Sequence, residues 1–252
     1  MIEQIHQKLS DSKVARWSVL ALVAFTMLCG YFLTDVMAPL KPMLEEQLSW
    51  NSTEYGFFTS AYGWFNVFLF MLIIGGIILD KMGVRFTGVG ACILMIIGCS
   101  LKYYAISDFF TMDGEIFGWK AQVMVAAIGY AIFGVGVETA GITVSKIIVR
   151  WFKGKEMALA MGLEMATARL GTALALSITV PAAKFFGSIS APILLCLCML
   201  CIGLIAFLVF CVMDRKLDTS MSAIEQAEEE EPFRLKDIGL IVTNKGFWLI
   251  AL

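Results

Sequence analysis

Two side chains of opposite charge interrupt long apolar stretches of this sequence. Glu138 lies in the run Ala121–Val149, and Arg169 lies in the run Met157–Ala183. Both are close to the midpoints of their runs, and Glu138 is about 4.5 Å of helix from Val135. A charge at this depth in a membrane is costly, so it is expected to face a partner or water. An arginine can bind a carboxylate through two parallel hydrogen bonds, and a glutamate can bind an ammonium group. The pair therefore has the chemistry to bind a small zwitterion.

Two interpretations of this pair are open at the level of sequence. Glu138 and Arg169 can neutralise each other between adjacent helices, or they can line a water-filled cavity and bind the two termini of a substrate. The two interpretations are compatible if the substrate displaces a resting ion pair. A dipeptide carries both charged groups, but a free amino acid also satisfies the same charges.

Four more polar residues lie in or beside apolar runs and are candidates for the same site. Asn66 is expected to hydrogen-bond either a neighbouring helix or the peptide group of a substrate, and Tyr31 is expected to contact the substrate. Asp35 lies one turn after Tyr31 on the same side, as an interfacial carboxylate or as a proton-coupling or gating group. Glu164, about two turns from the start of its run, is expected to reach water and is a candidate coupling residue.

Composition places most of this chain in lipid. The 252 residues are 59% hydrophobic and 16% charged, and the mean hydropathy is +0.82. Soluble domains contain about 45–50% apolar and 25% charged residues, so a soluble enzyme and a disordered chain are excluded. A net charge of −2 and the absence of a basic cluster argue against nucleic-acid binding. The single histidine, His6, and seven cysteines that all lie in apolar runs predict no metal and no cofactor.

Six stretches reach the length of about 20 apolar residues that a membrane-spanning helix needs. The predicted fold is therefore an all-α integral membrane bundle of six helices. A seventh apolar run begins at Phe247 and reaches Leu252, which predicts the start of a seventh helix. The six predicted spans are Trp17–Leu40, Thr53–Leu79, Val84–Ala105, Ala121–Val149, Met157–Ala183 and Ile189–Val212.

Lysine and arginine are distributed unequally between the two sides of these spans. Fourteen of the 19 fall on the side of the N-terminus, and the opposite side has four, Lys41, Lys102, Lys120 and Lys184. The positive-inside rule then predicts a cytoplasmic N-terminus. The resulting organisation is a cytoplasmic N-terminus (1–16), a six-helix bundle (17–213), a cytoplasmic linker (214–246) and the start of helix seven (247–252).

A ten-residue loop motif, GIILDKMGVR, follows the second span. Gly76 is expected to permit close helix approach, and Gly83 to permit a sharp turn. Asp80 is positioned to meet a helix N-terminus or a cation at the membrane surface, and Lys81 and Arg85 add positive charge to the same side.

With six spans, cytoplasmic ends, this loop motif and a long polar segment after span six, the sequence resembles the major facilitator superfamily. The resemblance implies the N-terminal half of a twelve-helix transporter that works by alternating access, with a C-terminal six-helix bundle of the same protein as its partner. It also implies that Asp80, Lys81 and Arg85 stabilise the state closed to the cytoplasm.

A narrower resemblance is carried by several shorter segments. They look like the lysosomal dipeptide transporter branch of this superfamily and its bacterial relatives, although Tyr130 replaces a usual arginine and Glu164 a neutral amide. The resemblance implies a dipeptide-like substrate. The segments are Gly30–Phe32 with Asp35, Tyr62–Asn66, Phe133–Glu138, Trp151–Glu156 and Ala168–Gly171.

We therefore expect a secondary transporter of dipeptides or similar small zwitterions, and no enzyme. A transporter of the same fold for organic anions is the first alternative, in which Arg169 binds a carboxylate and Glu138 orients it. A membrane scaffold that transports nothing is a remote alternative. The expected location is the bacterial inner membrane, or a lysosomal-type membrane if the protein is eukaryotic.

Overall fold

The computed structural model describes residues 9–220 and, beyond them, Thr243, Asn244, Gly246 and Trp248. Most of the predicted linker and of the predicted seventh helix lies outside the described residues. The described part is predominantly helical. Its eight α-helices are α1 (Lys13–Asp35), α2 (Lys41–Gln47), α3 (Ser52–Ser60), α4 (Trp64–Phe68), α5 (Met71–Ile106), α6 (Ala121–Phe152), α7 (Met157–Phe186) and α8 (Ala191–Ser220).

Five of these helices, α1, α5, α6, α7 and α8, are long and apolar enough to cross a membrane. The predicted all-α membrane fold is confirmed. The α8 helix continues to Ser220, past the predicted start of the linker at residue 214. Local sequence explains where some helices begin and end. The Ser12 hydroxyl caps the start of α1, and Gly187, in the left-handed conformation, ends α7.

The α5 helix contains a reversal of chain direction at Gly83, which has φ of 79° and ψ of 171°. We name the helical segments on either side of it α5a, residues 71–82, and α5b, residues 84–106. In α5a, Gly75 lies against Thr139, and Asp80 contacts Lys146. Higher residue numbers in α5a thus meet higher numbers in α6, which means that α5a and α6 run parallel.

The second segment, α5b, runs antiparallel to α6. A Cβ added to Gly136 would lie 2.8 Å from the Met95 backbone nitrogen, and one added to Gly98 would lie 2.5 Å from the Gly129 carbonyl oxygen. Higher numbers in α5b thus meet lower numbers in α6. The predicted turn at Gly83 is confirmed, and α5a and α5b belong to two separate passes of the chain along the bundle.

The pass before Gly83 is not the continuous helix that the sequence predicts for Thr53–Leu79. A short 3-10 turn at Ala61–Gly63 separates α3 from α4, and Phe70 adopts a left-handed conformation with φ of 52° before α5a begins. The 3-10 turn brings the Tyr62 backbone against Gly134 of α6. Glycine is a weak helix former, and Gly63 lies at this interruption.

The helices form a bundle with two distinct ends. α1 packs mainly against α7 and α8, and α6 packs mainly against α5. The basic end contains Gly83 and the starts of α1 and α7, together with the ends of α6 and α8. Ion pairs join Arg16 of α1 to Glu156 before α7, and Asp214 of α8 to Arg85 and Arg150. The hairpin end contains the end of α5b and a short antiparallel pair, β1 (Glu115–Ile116) and β2 (Trp119–Lys120). Phe117 and Gly118 both have positive φ between the strands, as a type I′ turn requires.

Candidate substrate-binding site

Glu138 of α6 is held by a phenol from the interrupted second pass. The Tyr62 hydroxyl donates a 2.5 Å hydrogen bond to Oε1 of Glu138. Tyr62 comes this close because residue 134 is glycine, where a Cβ would lie 2.2 Å from the Tyr62 carbonyl oxygen. Glu138 is half-buried. Its contact to Tyr62 is neutral, so this carboxylate has a fixed position without a fixed counter-ion.

Arg169 of α7 lies against an aromatic ring of α1. Its guanidinium carbon is 5.6 Å from the centre of the Tyr31 ring, within the range of a cation–π contact. The two helices cross closely nearby, since a Cβ at Gly171 would lie 2.5 Å from the Leu28 carbonyl oxygen. Arg169 is exposed on the surface of the described bundle, and none of its five guanidinium N–H donors is used by a hydrogen bond within residues 9–220.

Each of the two charges has a tyrosine as its neighbour, Tyr62 for Glu138 and Tyr31 for Arg169. Within residues 9–220, no ion pair joins Glu138 to Arg169. Direct mutual neutralisation, one of the two interpretations of the sequence, is therefore not the arrangement found in the described residues. The carboxylate acceptor lies against one tyrosine and the guanidinium donor against another, and no ion pair within residues 9–220 has to be displaced.

Glu164 corrects one expectation. It was expected to reach water, but it is 6% exposed and therefore buried. The reason is its position on α7, where it shares a buried face with Ala160, Ala168 and Gly171. Asp35 is the last residue of α1 and is half-buried.

Asn66 lies in α4 and retains an unused acceptor. Its Oδ1 is buried and has no hydrogen-bond partner among the described residues. The predicted hydrogen bond to a neighbouring helix is therefore absent from the part of the chain that is described. An apolar groove of about 280 Å³ lies beside it on α4, lined by Trp64, Phe65, Phe68 and Leu69. This groove contains neither Glu138 nor Arg169.

The loop motif forms two separate contacts at the basic end. Asp80 pairs with Lys146 of α6 at 2.7 Å, which matches the expected cation at the membrane surface. Arg85 pairs with Asp214 at 3.2 Å and also with Asp218, both in α8. Lys81 is exposed.

The sequence predicted that Gly76 permits close helix approach, but the glycine in that position is Gly75. A Cβ at Gly75 would lie 3.0 Å from the Thr139 hydroxyl oxygen, whereas one at Gly76 would meet nothing within 4 Å. The prediction was one residue wrong because a shift of one position rotates a side chain by about 100° around a helix.

Sequence reasoning missed the most connected carboxylate of the basic end, Asp214. It is 1% exposed, and it accepts hydrogen bonds from Arg150, Arg85 and the Trp151 indole. The presence of two acidic residues one turn apart, Asp214 and Asp218, at the end of an apolar run was the available sign. Lys102 was also misplaced: it was counted with the loops of the hairpin side, but it is completely buried in α5b.

The sequence matches the family model of the Major Facilitator Superfamily over residues 20–252. It is 28% identical over 238 residues to the lysosomal dipeptide transporter MFSD1 of Mus musculus, which covers 88% of this chain and 47% of the mouse protein. The human protein of the same name is 29% identical over 159 residues, 62% of this chain and 31% of that protein. The probable anion transporter 2, chloroplastic, of Oryza sativa subsp. japonica is 30% identical over 159 residues, 63% of this chain and 27% of that protein.

The chain thus spans about half or less of the length of these curated relatives. The family model, by contrast, matches almost the whole chain, and the observed fold is an all-α bundle with five helices suited to a membrane. This protein belongs to the major facilitator superfamily of membrane transporters.

Proposed function

We propose that this protein carries dipeptides or similar small zwitterions across a membrane by alternating access. One observation carries the proposal: Tyr62 holds Glu138, Tyr31 holds Arg169, and among the described residues no ion pair joins the two charges. A charge near the middle of a membrane-spanning helix is costly unless it faces water or a ligand supplies its counter-ion. A zwitterion supplies both, its ammonium group to Glu138 and its carboxylate to Arg169.

Each candidate residue has a definite task in this proposal. Arg169 binds the substrate carboxylate with two parallel hydrogen bonds, and the cation–π contact with Tyr31 keeps the guanidinium in place. Glu138, fixed by Tyr62, binds the ammonium group. The free Oδ1 of Asn66 is an acceptor for a peptide N–H. Asp35 and Glu164 are the candidates for coupling transport to protons.

The rest of the cavity is proposed to come from a second six-helix bundle of the same protein. This is supported by the exposed face of α7, where Leu159, Leu163, Leu170 and Arg169 are all accessible, and by the greater length of the relatives. The two bundles would rock around a site near the bilayer midplane. We place the basic end in the cytoplasm because lysine and arginine accumulate there, and we assign gating to Asp80, Lys81, Gly83 and Arg85. The choice between a bacterial inner membrane and a lysosomal-type membrane stays a prediction.

Blocking the two substrate charges one at a time tests this assignment. The full-length protein in liposomes should take up a neutral dipeptide, its N-acetyl form and its C-terminal amide at different rates, with the free zwitterion fastest. Arg169→Lys should reduce dipeptide uptake by about tenfold or more, because lysine cannot reproduce the bidentate contact. Glu138→Gln should selectively remove the preference for a free N-terminus.

Glu45→Gln is the matched control for Glu138→Gln, since Glu45 is exposed in the short helix α2 and has no part in the proposed site, so it should leave uptake unchanged. If Arg169→Lys retains full dipeptide uptake, the proposed carboxylate site is wrong.

A second function, transport of organic anions, is supported by the exposed Arg169 and by the printed name of the rice relative. In that case the N-acetyl dipeptide, which is a pure anion, should be taken up faster than the zwitterion. Glu138→Gln should then leave the uptake of that anion unchanged or increase it.

A further inference from the structure

Lys102 is a completely enclosed cation that the transport site does not use. It lies in α5b with 0% of its surface exposed. Burial of a lysine inside a membrane protein costs several kcal/mol unless the ammonium group is well satisfied. Its surroundings therefore have to explain why this residue is a lysine.

The partners of Lys102 are three aromatic rings and one backbone carbonyl. Nζ lies 4.6 Å from the centre of the Tyr130 ring, 5.7 Å from that of Phe133 and 6.0 Å from that of Phe58. It donates a hydrogen bond of 3.3 Å to the Leu33 carbonyl oxygen. Within residues 9–220 no carboxylate forms an ion pair with it. We name Lys102 and these three rings the aromatic cage.

The close crossing of α5b and α6 explains how the lysine reaches these rings. A Cβ at Gly129 would lie 2.9 Å from the Lys102 backbone nitrogen, and one at Gly98 would lie 2.5 Å from the Phe133 backbone nitrogen. Because Gly98 and Gly129 occupy the crossing, the backbones of α5b and α6 are in contact. The Lys102 ammonium group therefore lies between α6 and the end of α1.

The cage holds the end of α1 through two carbonyl groups. Lys102 binds the Leu33 carbonyl, and the Tyr130 hydroxyl donates a 2.8 Å hydrogen bond to the Thr34 carbonyl. Carbonyls in the last turn of a helix lack the partners that a continuing helix would provide, and a cation there is favoured by the helix dipole. Tyr31 lies in the same turn, so its ring, which supports Arg169, is fixed from the cage.

The cage also reaches the other half of the transport site. The Tyr130 ring stacks on Phe58 at 4.9 Å and lies 5.3 Å from the Tyr62 ring. Tyr62 in turn holds Glu138. Two connections therefore lead from Lys102 and Tyr130 to the transport site, and we call them the two arms. One runs through α1 and Tyr31 to Arg169, and the other runs through Tyr62 to Glu138.

We propose that Lys102 and Tyr130 are positioning residues that set the separation between the carboxylate-binding and ammonium-binding halves of the transport site. Neither residue contacts the substrate, and the aromatic cage acts only through Tyr31 and Tyr62. The inference rests on the proposed function for its transport readout, but its structural content concerns the two arms alone.

Lys102→Met in the full-length protein removes the charge and keeps the length and apolar volume of the side chain. We expect the KM for dipeptide uptake to rise by about tenfold, because a desolvated cation–π contact and a hydrogen bond are lost, with kcat changed by much less. Lys102→Arg should recover part of the loss. Lys184→Met, which removes an exposed lysine at the end of α7, should behave as wild type.

Hydrogen–deuterium exchange provides a readout that does not depend on the substrate. Lys102→Met should increase exchange in residues 31–40 and 60–66 together, while residues 143–152 at the basic end stay as protected as in the wild type. A purely structural lysine would instead lower the thermal stability and raise exchange throughout the bundle, with an unchanged KM in the protein that remains folded; that result would overturn the proposal.

Tyr130→Phe keeps the proposal testable if Lys102→Met does not fold. It deletes only the hydroxyl that binds the Thr34 carbonyl, so exchange should increase in residues 31–40 by a smaller amount. In a double variant the two effects should be less than additive, as expected for residues that act through one contact network. If the wild type fails to transport dipeptides while both variants show the expected exchange, the proposed function is wrong and the positioning role is supported. If dipeptides are transported and exchange in the two arms does not change, the positioning role is wrong.

Discussion

The basic end and the middle of the bundle satisfy their charges in different ways. At the basic end Asp214 is buried, and Arg85, Arg150 and the Trp151 indole all donate to it. In the middle, Glu138 has a phenol as its partner, and Arg169 lies on the face of a tyrosine ring. At the basic end charged side chains pair with oppositely charged side chains, whereas in the middle of the bundle uncharged tyrosines hold the charged side chains.

This difference separates structural charges from those available to a ligand. A carboxylate that is already neutralised by two arginines gains little from a passing cation, and breaking the network is costly because the buried members lose charged hydrogen bonds. A carboxylate oriented by a phenol keeps most of its charge unneutralised. The neutral partners in the middle are thus consistent with a site that positions its charges and still leaves them able to bind.

The largest expected effect comes from breaking the paired end. Asp214→Asn should lower the stability of the full-length protein by about 3 kcal/mol, because it removes the buried charge that accepts from Arg85, Arg150 and Trp151 and leaves the two arginines with the partly exposed Asp218. Thermal unfolding in detergent measures the change. The protein that remains folded should keep the wild-type KM; a raised KM with unchanged stability would contradict the division between the two regions.

Gly134→Ala should disturb the middle of the bundle without changing any charge. The added methyl would lie 2.2 Å from the Tyr62 carbonyl oxygen, so Tyr62 has to move away from Glu138. We expect uptake to fall by more than about tenfold, since a displacement of about 1 Å in a binding site costs up to a hundredfold. Gly141→Ala in the same helix is the control, because its nearest neighbour would lie at an ordinary 3.7 Å.

Tyr62→Phe should have a smaller effect of the same kind. It removes one hydrogen bond to a charged group, a contribution of about 1.5–3 kcal/mol, and leaves the ring packing in place. The KM for dipeptides should rise, while the KM for a substrate with a carboxylate and no ammonium group, such as the N-acetyl dipeptide, stays the same. Equal losses for both substrates would show that Tyr62 supports the fold and not Glu138 alone.

Lys146→Met should have the smallest effect on stability. Lys146 and Asp80 are 43% and 40% exposed, and exposed ion pairs contribute about 0.2–1 kcal/mol. The unfolding temperature should therefore barely change. If Asp80 acts in gating, as proposed, the transport rate should fall while KM stays constant, which initial-rate measurements distinguish.

The sequence was sufficient to predict features that depend on local pattern. Apolar length located the long helices, and the glycine in the loop motif located the chain reversal at Gly83. Features that depend on which helices touch were not accessible. Charge counting assigned Lys102 to a loop although it falls inside the predicted span Val84–Ala105, because the three rings that make its burial tolerable are distant in sequence or on other helices. The contact between Tyr62 and Glu138, 76 positions apart, depends in the same way on Gly134 and the 3-10 turn.

A single residue, Gly83, separates the helical segments α5a and α5b. Glycine has the widest range of backbone angles of any residue, so a change in the angle between the two segments needs dihedral changes at this one position. Asp80 is attached to α6 just before Gly83, and Arg85 is attached to α8 just after it. A relative movement of α6 and α8 at the basic end therefore acts directly on the backbone of Gly83.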